Sequence, residues 1–488
     1  MRRFALLLLP ALCWSASTSI TIDQLITMAR AVPPEFSAEA LIRIAAIDKV
    51  EKTRKIDLLE EAFRRAGDAQ LPYKRRASIV KVAGPAGVYN RTAAQGLDAL
   101  SLRLKAVRAM LLLDAARARD LFRRIPPLKL PALACEEYLV YDVDAFYDAL
   151  SHVSRETLTP AEIEKGEELR LIEPYLNSIT SPVQLPGAAR LIAGSTVNDK
   201  DFQTLMAAFS KVMVKIKGDD RSFSFAPVGP PIRAIVEAAE KRKLPAAPLL
   251  EAYRLYIVNN MAAARCADDD LMVYEATSFA FADPRAAEQQ GPDPSAYFND
   301  HLRVPPLQEI KEVEVTPSKL EGVATGLRGC DDEACKSIVL QYTGLIFDAD
   351  RNPLPFAKKE TPEWQGHVED LLTAMAGWKP VAPSAAAEHF REKSSLYSDL
   401  VNIQPNTAGR IKVLRAELQY VVKDKAGAES RAQWFLPING IIGRVTLDPL
   451  GLGVLSDDLR NSGDPIITLF TELDAIAPRR PDLIMPLI

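Results

Sequence analysis

The stretch that decides the fold is IDLLEEAFRRA, residues 56–66 of a 488-residue chain. The apolar residues at positions 56, 59, 62, 63 and 66 fall on one face. This is the i, i+3, i+4, i+7 spacing of one face of an α-helix, so the stretch predicts an amphipathic helix that packs on a core. The same spacing recurs at Ile232, Ile235, Val236 and Ala239, and at Ile411, Leu414, Leu418, Val421 and Val422.

Composition and helix-start signals extend this prediction to the whole chain. Glycine is scarce, with 23 residues, whereas proline is frequent, with 35. This balance favours helices that are bounded by proline over strands joined by glycine-rich turns. Thr159-Pro160-Ala161-Glu162 has a capping threonine, a first-turn proline and the glutamate of a capping box. Thr361-Pro362 and Asp464-Pro465 open helices in the same way. We therefore predict an all-α fold.

Two segments are predicted to be helical hairpins, residues 38–66 and 97–125. Their second helices end alike, in Phe63-Arg64-Arg65 and in Phe122-Arg123-Arg124, and each phenylalanine is expected to be buried between hairpin neighbours. The stacking resembles an irregular α-solenoid of the tetratricopeptide or HEAT class. The resemblance is one of class only, because the two phenylalanines are 59 residues apart and a tetratricopeptide repeat is about 34 residues long.

The chain is predicted to have two helical domains, at 20–282 and 305–488, with a proline-rich linker at 283–304. Gly291-Pro292-Asp293-Pro294 marks the middle of this linker. Residues 305–347 are the least helical part and are expected to form a small mixed segment. Residues 312–315 and 337–342 have short-strand patterns there, although a helix is equally arguable for the second. Pro437 is expected to kink the helix that contains it.

The N-terminus has the pattern of a secretory signal peptide over residues 1–19. Two arginines precede the apolar run 4–12, and small residues follow at 15–17. We predict cleavage after Ser17 or Ser19, and export to the periplasm or the exterior. Lipidation at Cys13 is the alternative, but Pro10 and Leu12 do not fit a lipobox. No later segment approaches the roughly 20 apolar residues that span a membrane, so no transmembrane helix is expected.

Loss of residues 1–19 removes two arginines and no acid, so the net charge changes from −4 to −6. An acidic chain has no basic footprint for nucleic acid. Four cysteines remain after cleavage, and an exported protein can pair them in two disulfides. We favour a local Cys330–Cys335 bond and a long-range Cys135–Cys266 bond, with four buried thiols or a reducing destination as the alternative.

Most catalytic and cofactor motifs are missing from the sequence. The four histidines lack metal-ligand spacing, and no serine-hydrolase elbow or glycine-rich phosphate loop occurs. Cys330 and Cys335 are too far apart for a redox Cys-x-x-Cys pair. No cofactor is expected, and no catalytic residue can be assigned.

The segment Asp348-Ala349-Asp350-Arg351-Asn352 is a weak calcium candidate through Asp348, Asp350 and Asn352. Its alternating oxygen ligands are those of an EF-hand loop. Pro353 occupies the position that needs glycine, however, and Lys359 the position that needs a bidentate glutamate. A solvated turn is the favoured interpretation.

We expect an exported helical scaffold that binds another protein, because stacked helices usually act as binding surfaces. The sequence names no partner and no small-molecule ligand. One alternative is an α/α-type glycan-acting hydrolase that uses paired carboxylates. This alternative is weakened because a sugar-binding surface requires exposed aromatic side chains, whereas Trp364, Trp378 and Trp434 are expected to pack between helices. A structural component of the cell envelope is a further alternative.

Overall fold

The structure, a computed structural model, describes residues 20–70, 74–76, 96–134, 137–139, 141–218, 220–261, 332–350 and 352–477. The N-terminal helices are α1 (Ile22–Ala31), α2 (Pro34–Ala45), α3 (Lys52–Ala66), α4 (Ala99–Leu111), α5 (Ala115–Arg123), α6 (Val143–Glu156), α7 (Pro160–Glu164), α8 (Glu167–Asn177), α9 (Leu185–Ala193), α10 (Asp199–Lys215), α11 (Ser222–Phe225), α12 (Gly229–Lys241) and α13 (Ala247–Met261). The C-terminal helices are α14 (Glu333–Ile346), α15 (Phe356–Lys359), α16 (Pro362–Gly377), α17 (Ala386–Asn402), α18 (Thr407–Lys423), α19 (Arg431–Leu447), α20 (Pro449–Leu452), α21 (Leu455–Arg460) and α22 (Pro465–Ile476). The fold is therefore all-α, as predicted.

The predicted helix starts are present, and side chains cap them. Thr159 and Glu162 form the reciprocal bonds of a capping box at α7. Thr361 accepts from the backbone N–H of Trp364 at the start of α16, and Asp464 accepts from Ile466 and Ile467 at the start of α22. Each cap satisfies backbone donors that a helix start otherwise leaves unpaired.

Both predicted hairpins are confirmed. Helices α2 and α3 pack together, and so do α4 and α5. Phe63 is 2% exposed and Phe122 is fully buried. The Phe122 ring lies 5.4 Å from the ring of Phe146 and 5.5 Å from that of Tyr175, measured between centroids. The local apolar spacing therefore identified the core residues of these hairpins.

Residues 337–342 are helical and not a strand. They lie within α14, where Asp332 caps the helix by accepting from the backbone N–H of Cys335. Cys335, Ile338, Tyr342 and Leu345 are buried at helical spacing, and this burial selects the helix over the strand. The strands that the structure does describe are short and lie elsewhere: β1 (Lys74–Arg76) pairs antiparallel with β2 (Glu137–Leu139).

The first helices pack against the last ones. Helix α22 contacts both α1 and α2. At the centre of this contact the ring centroid of Phe36 lies 5.2 Å from that of Phe435 and 6.3 Å from that of Phe470. Phe435 and Phe470 are 4.8 Å apart. We call these three rings, which join α2, α19 and α22, the end-to-end junction.

Two ion pairs flank the end-to-end junction. Arg431 donates to both carboxylate oxygens of Glu35, at 2.7 and 3.2 Å. Arg43 pairs with Asp474. In a solenoid each repeat contacts only its neighbours, so a contact between distant helices is an additional feature, and the solenoid-like stacking is not confirmed.

Several predictions lie outside the described residues. They include the signal peptide at 1–19, the linker at 283–304, the strand pattern at 312–315 and four of the cysteines. Within the described ranges, no helix is both long and apolar enough to cross a membrane. Pro437 lies inside α19, which runs without a break from Arg431 to Leu447.

Candidate functional site

Four large apolar side chains are exposed at consecutive elements near the C-terminal end of the described chain. Leu436 and Leu447 of α19 are 37% and 48% exposed. Leu450 of α20 is fully exposed, and Val454, which precedes α21, is 53% exposed. We call these four residues the apolar face. Because contiguous exposed apolar patches mark contact sites whereas single exposed apolar side chains are ordinary, this stretch is the candidate contact site.

The helix geometry explains why the two leucines of α19 share a side. They are eleven residues apart, which is about three turns. Between them Gly440 has no side chain, and a Cβ added there would meet no atom within 4 Å. The opposite side of α19 is buried through Trp434, Ile438, Ile441 and Ile442. The packed side therefore fixes the helix, while the leucines face outward.

Charged pairs border the apolar face near α20 and α21. Arg410 lies 3.6 Å from Asp448, and Arg415 lies 2.8 Å from Asp458, measured between nitrogen and oxygen atoms. Both pairs join α18 to the segment that carries Leu450 and Val454. An apolar centre with a charged rim is the usual anatomy of a protein–protein interface.

A second candidate is a buried polar cluster where α16, α17 and α18 meet. Lys393 is 3% exposed, and its Nζ donates to the backbone oxygen of Trp378 at 2.9 Å. The same Nζ lies 4.4 Å from the ring centroid of Tyr420. His389, one turn earlier on α17, meets Trp378 edge to face with ring centroids 4.4 Å apart.

Burial shifts the titration of this cluster. It lowers the pKa of Lys393 to about 8. Burial, aided by the Lys393 charge, lowers the pKa of His389 to about 4, so the imidazole is neutral at pH 7. A buried lysine with a lowered pKa is the type that attacks carbonyl carbon. Here, however, Nζ is held by a carbonyl oxygen and covered by an aromatic ring. As arranged, the lysine connects three helices.

Carboxylates with raised pKa lie on helices α17 and α18. Burial, and then the neighbouring Glu388, raise the pKa of Glu392 to about 7. Glu417 on α18 is 2% exposed, its Oε2 has no hydrogen-bond partner, and burial raises its pKa to about 8. A surface depression of about 500 Å³ between α9 and α12 has one acid in its lining, Glu237, which pairs with Arg233 at 3.0 Å.

Replacing Glu417 with glutamine is expected to stabilise the protein at neutral pH. The raised pKa means that the folded state retains a proton which the unfolded state releases between pH 4.5 and about 8. The glutamate therefore costs stability progressively as the pH rises through that window, and it costs nothing below it. We expect Glu417→Gln to raise the free energy of unfolding by about 1–3 kcal/mol at pH 7 and by almost nothing at pH 4.

Urea denaturation at pH 4 and pH 7 measures this difference. The exposed Glu360 provides the control, because Glu360→Gln should leave stability within about 0.5 kcal/mol at both values. A gain from Glu417→Gln that is equal at both pH values would show that packing, not ionisation, is responsible.

The structure places the three calcium-candidate residues in one exposed turn. Oδ1 of Asp348 accepts from the backbone N–H groups of Asp350 and Asn352, at 2.9 and 2.8 Å. The hydrogen bond from the backbone N–H of Asn352 is the largest cause of the lowered pKa of Asp348. The carboxylate thus holds the turn itself. Among the described residues no group of three histidine, cysteine or acidic side chains is placed to hold a metal ion.

Cys335 is the candidate cysteine that falls within the described residues. It is 3% exposed and disulfide-bonded. Cys135, Cys266 and Cys330 lie outside the described part, so both predicted pairings stay predictions.

The three tryptophans within the described residues are buried. Trp364 and Trp378 are each 4% exposed and Trp434 is 1% exposed. The indole N–H of Trp364 donates to Leu345, and that of Trp434 donates to Val421, each to a backbone oxygen at 3.0 Å. As expected from the sequence, these side chains pack between helices.

Sequence reasoning missed Lys393 and Glu417, although a signal was present. On α17 the buried positions Phe390, Leu396, Tyr397 and Leu400 surround Lys393 at helical spacing. On α18 Glu417 lies beside the predicted core residues Leu414, Leu418 and Val421. A charged residue inside an apolar stripe predicts a buried charge.

Comparisons of the chain with protein-family models, with curated proteins and with solved structures find no match.

Proposed function

We propose that this protein is an exported binding scaffold whose apolar face holds a segment of another protein. The observation that carries the proposal is the exposure of Leu436, Leu447, Leu450 and Val454 on the consecutive elements from α19 to the start of α21. Full exposure of Leu450 leaves apolar area in water that a partner would remove, at roughly 25 cal/mol per Å².

The chemistry of the face defines the partner. Leucine and valine side chains select apolar side chains, and the Arg410–Asp448 and Arg415–Asp458 pairs offer both charges at the rim. An amphipathic helix, with an apolar stripe and mixed charges beside it, fits this arrangement. Such a helix would bind in one orientation, because its charged side chains must lie opposite rim residues of the opposite charge.

Two features support export. The N-terminal sequence has the order of a signal peptide. Cys335 is disulfide-bonded, and structural disulfides persist mainly in oxidising compartments. Both features are consistent with a scaffold that works outside the cytosol.

The hydrolase alternative has less support. The tryptophans that could stack on sugars are buried. Glu392 and Glu417, two of the carboxylates with raised pKa, lie on the packed helices α17 and α18. Among the described residues, no observation favours a pair of acids facing each other across an open cleft.

Site-specific photo-crosslinking tests the proposed surface. A photoreactive amino acid at position 450 is expected to give one defined heteromeric product in the native envelope. Leu112 is the matched control, since it is 88% exposed and lies between α4 and α5. Crosslinking from position 112 should not give that product. Leu447→Asp with Val454→Asp should reduce the yield from position 450 at least tenfold, because charge on an apolar contact is costly.

Three outcomes would contradict the proposal. One is the same product from positions 112 and 450. Another is a product that contains only copies of this chain, which would make the face a self-association surface. The third is an unchanged yield when the two aspartates are present and the protein is folded by circular dichroism.

A further inference from the structure

The ring of Phe63 has two arginine side chains against it. The Cζ atoms of Arg103 and Arg124 each lie 5.3 Å from the ring centroid. The three residues come from different parts of the fold: Phe63 from the last turns of α3, Arg103 from α4, and Arg124 from the position that directly follows α5. The fold therefore brings two guanidinium groups to one place near a buried aromatic ring.

Neither guanidinium group is paired with an acid or hydrogen-bonded within the part of the chain that the structure describes. Nε of Arg103 is buried and has no hydrogen-bond partner. Arg65, on the same turn as Phe63, shows the contrast, since its Nε bonds Glu61 at 2.9 Å. A guanidinium has five N–H donors, and a buried donor without a partner costs roughly 1–3 kcal/mol. Both side chains thus have donors that a ligand would satisfy.

Two positive charges act on each other at this site. Burial lowers the pKa of Arg103, and the charge of Arg124 adds to that effect. Among the described residues, the hydroxyl of Tyr141 and the carboxylate of Asp68 oppose this lowering through their electrostatic interaction with Arg103. The carboxyl ends of α3 and α5 also lie here, and each helix dipole contributes about 0.3–1 kcal/mol. A dipole offsets part of the charge but uses none of the arginine donors.

We propose that Arg103 and Arg124 form a binding site for a small oxyanion, a carboxylate or a phosphate. The planar guanidinium matches the paired oxygens of either group. Arg124 is exposed and Arg103 partly buried, so the ligand enters beside Arg124 and reaches Arg103 against the Phe63 ring. This site is far along the chain from the apolar face and does not depend on the scaffold proposal.

Calorimetric titration of the full mature chain in chloride buffer tests the site, with inorganic phosphate in one arm and succinate in the other. Saturable binding of either probe at one site is expected, and the arm that saturates identifies the ligand class. Arg103→Gln and Arg124→Gln should each weaken that binding about tenfold or more, because each removes charged hydrogen bonds. Both variants should fold, since neither side chain holds another residue by a hydrogen bond.

Arg123→Gln is the matched control. Arg123 is exposed and directly precedes Arg124, and its replacement by glutamine changes the net charge by the same amount. The affinity of the Arg123→Gln variant for the probe should therefore stay within twofold of that of the natural chain. If Arg123→Gln lost as much affinity as Arg124→Gln, the loss would come from net charge and not from a specific site, and the proposal would be overturned. Failure of the natural chain to bind either probe up to 10 mM, on the order of a very weak site, would overturn it as well.

Discussion

Replacing Phe36 with alanine is expected to lower the free energy of unfolding by about 3–5 kcal/mol, the range for a phenylalanine removed from a core. Phe36 is fully buried, and its ring meets those of Phe435 and Phe470 edge to face. The substitution removes the ring from α2 and leaves a cavity against α19 and α22. Those helices cannot close it easily, because ion pairs on both flanks fix their distance from α2.

The tryptophans make this measurement specific to the junction. After residues 1–19 are removed, all three tryptophans lie between residues 364 and 434. Their fluorescence therefore reports the C-terminal half, whereas Phe36 belongs to the N-terminal half. A lower urea midpoint by tryptophan fluorescence in Phe36→Ala would show that the halves stabilise each other.

Phe356→Ala is the control, since Phe356 is 62% exposed and its loss should change stability by about 0.5 kcal/mol or less. A tryptophan-reported midpoint that is the same in Phe36→Ala and in the natural chain would contradict the described junction.

Local signals predicted the helices well because helix formation in this chain depends on nearby residues. The 56–66 stripe led to α3, with Leu59, Ala62, Phe63 and Ala66 buried and Ile56 partly buried. The capping threonines and the N1 prolines gave the starts of α7 and α16, because a cap acts within three residues. The sequence left residues 337–342 open between a strand and a helix, because a short apolar run fits either structure until packing decides.

The junction was beyond local reasoning. Glu35 and Arg431 are separated by 396 residues in sequence, and no local sequence pattern predicts that they form a pair. Similarly, the Phe-Arg-Arg motifs were visible, but the meeting of Arg103 with Arg124 over Phe63 depends on how α3, α4 and α5 pack. The apolar face could not be predicted either, because the sequence alone does not show which side of α19 is buried. Leu436 and Leu447 therefore have the pattern of core residues.

Replacing Arg431 with alanine should cost about 3 kcal/mol, no more than the lower end of the range for breaking a buried ion pair, because the Arg431 side chain is itself 41% exposed. The Glu35 side chain is only 5% exposed, so it would remain as a buried carboxylate without its cation. The loss stays near the lower end because Glu35 lies in the first turn of α2, where the helix dipole favours a negative charge.

The second substitution that tests this reasoning is Glu35→Gln in the Arg431→Ala background. It removes the stranded charge and should recover at least half of the lost stability, because an unpaired amide costs less to bury than an unpaired carboxylate. Urea denaturation of the natural chain, the two single variants and the double variant gives the coupling energy of the pair. Recovery below about 0.5 kcal/mol would mean that Arg431 acts through the packing of its side chain beside Phe435. In that case the aromatic rings alone would hold α2 against α19 and α22, and the ion pairs would only orient these helices.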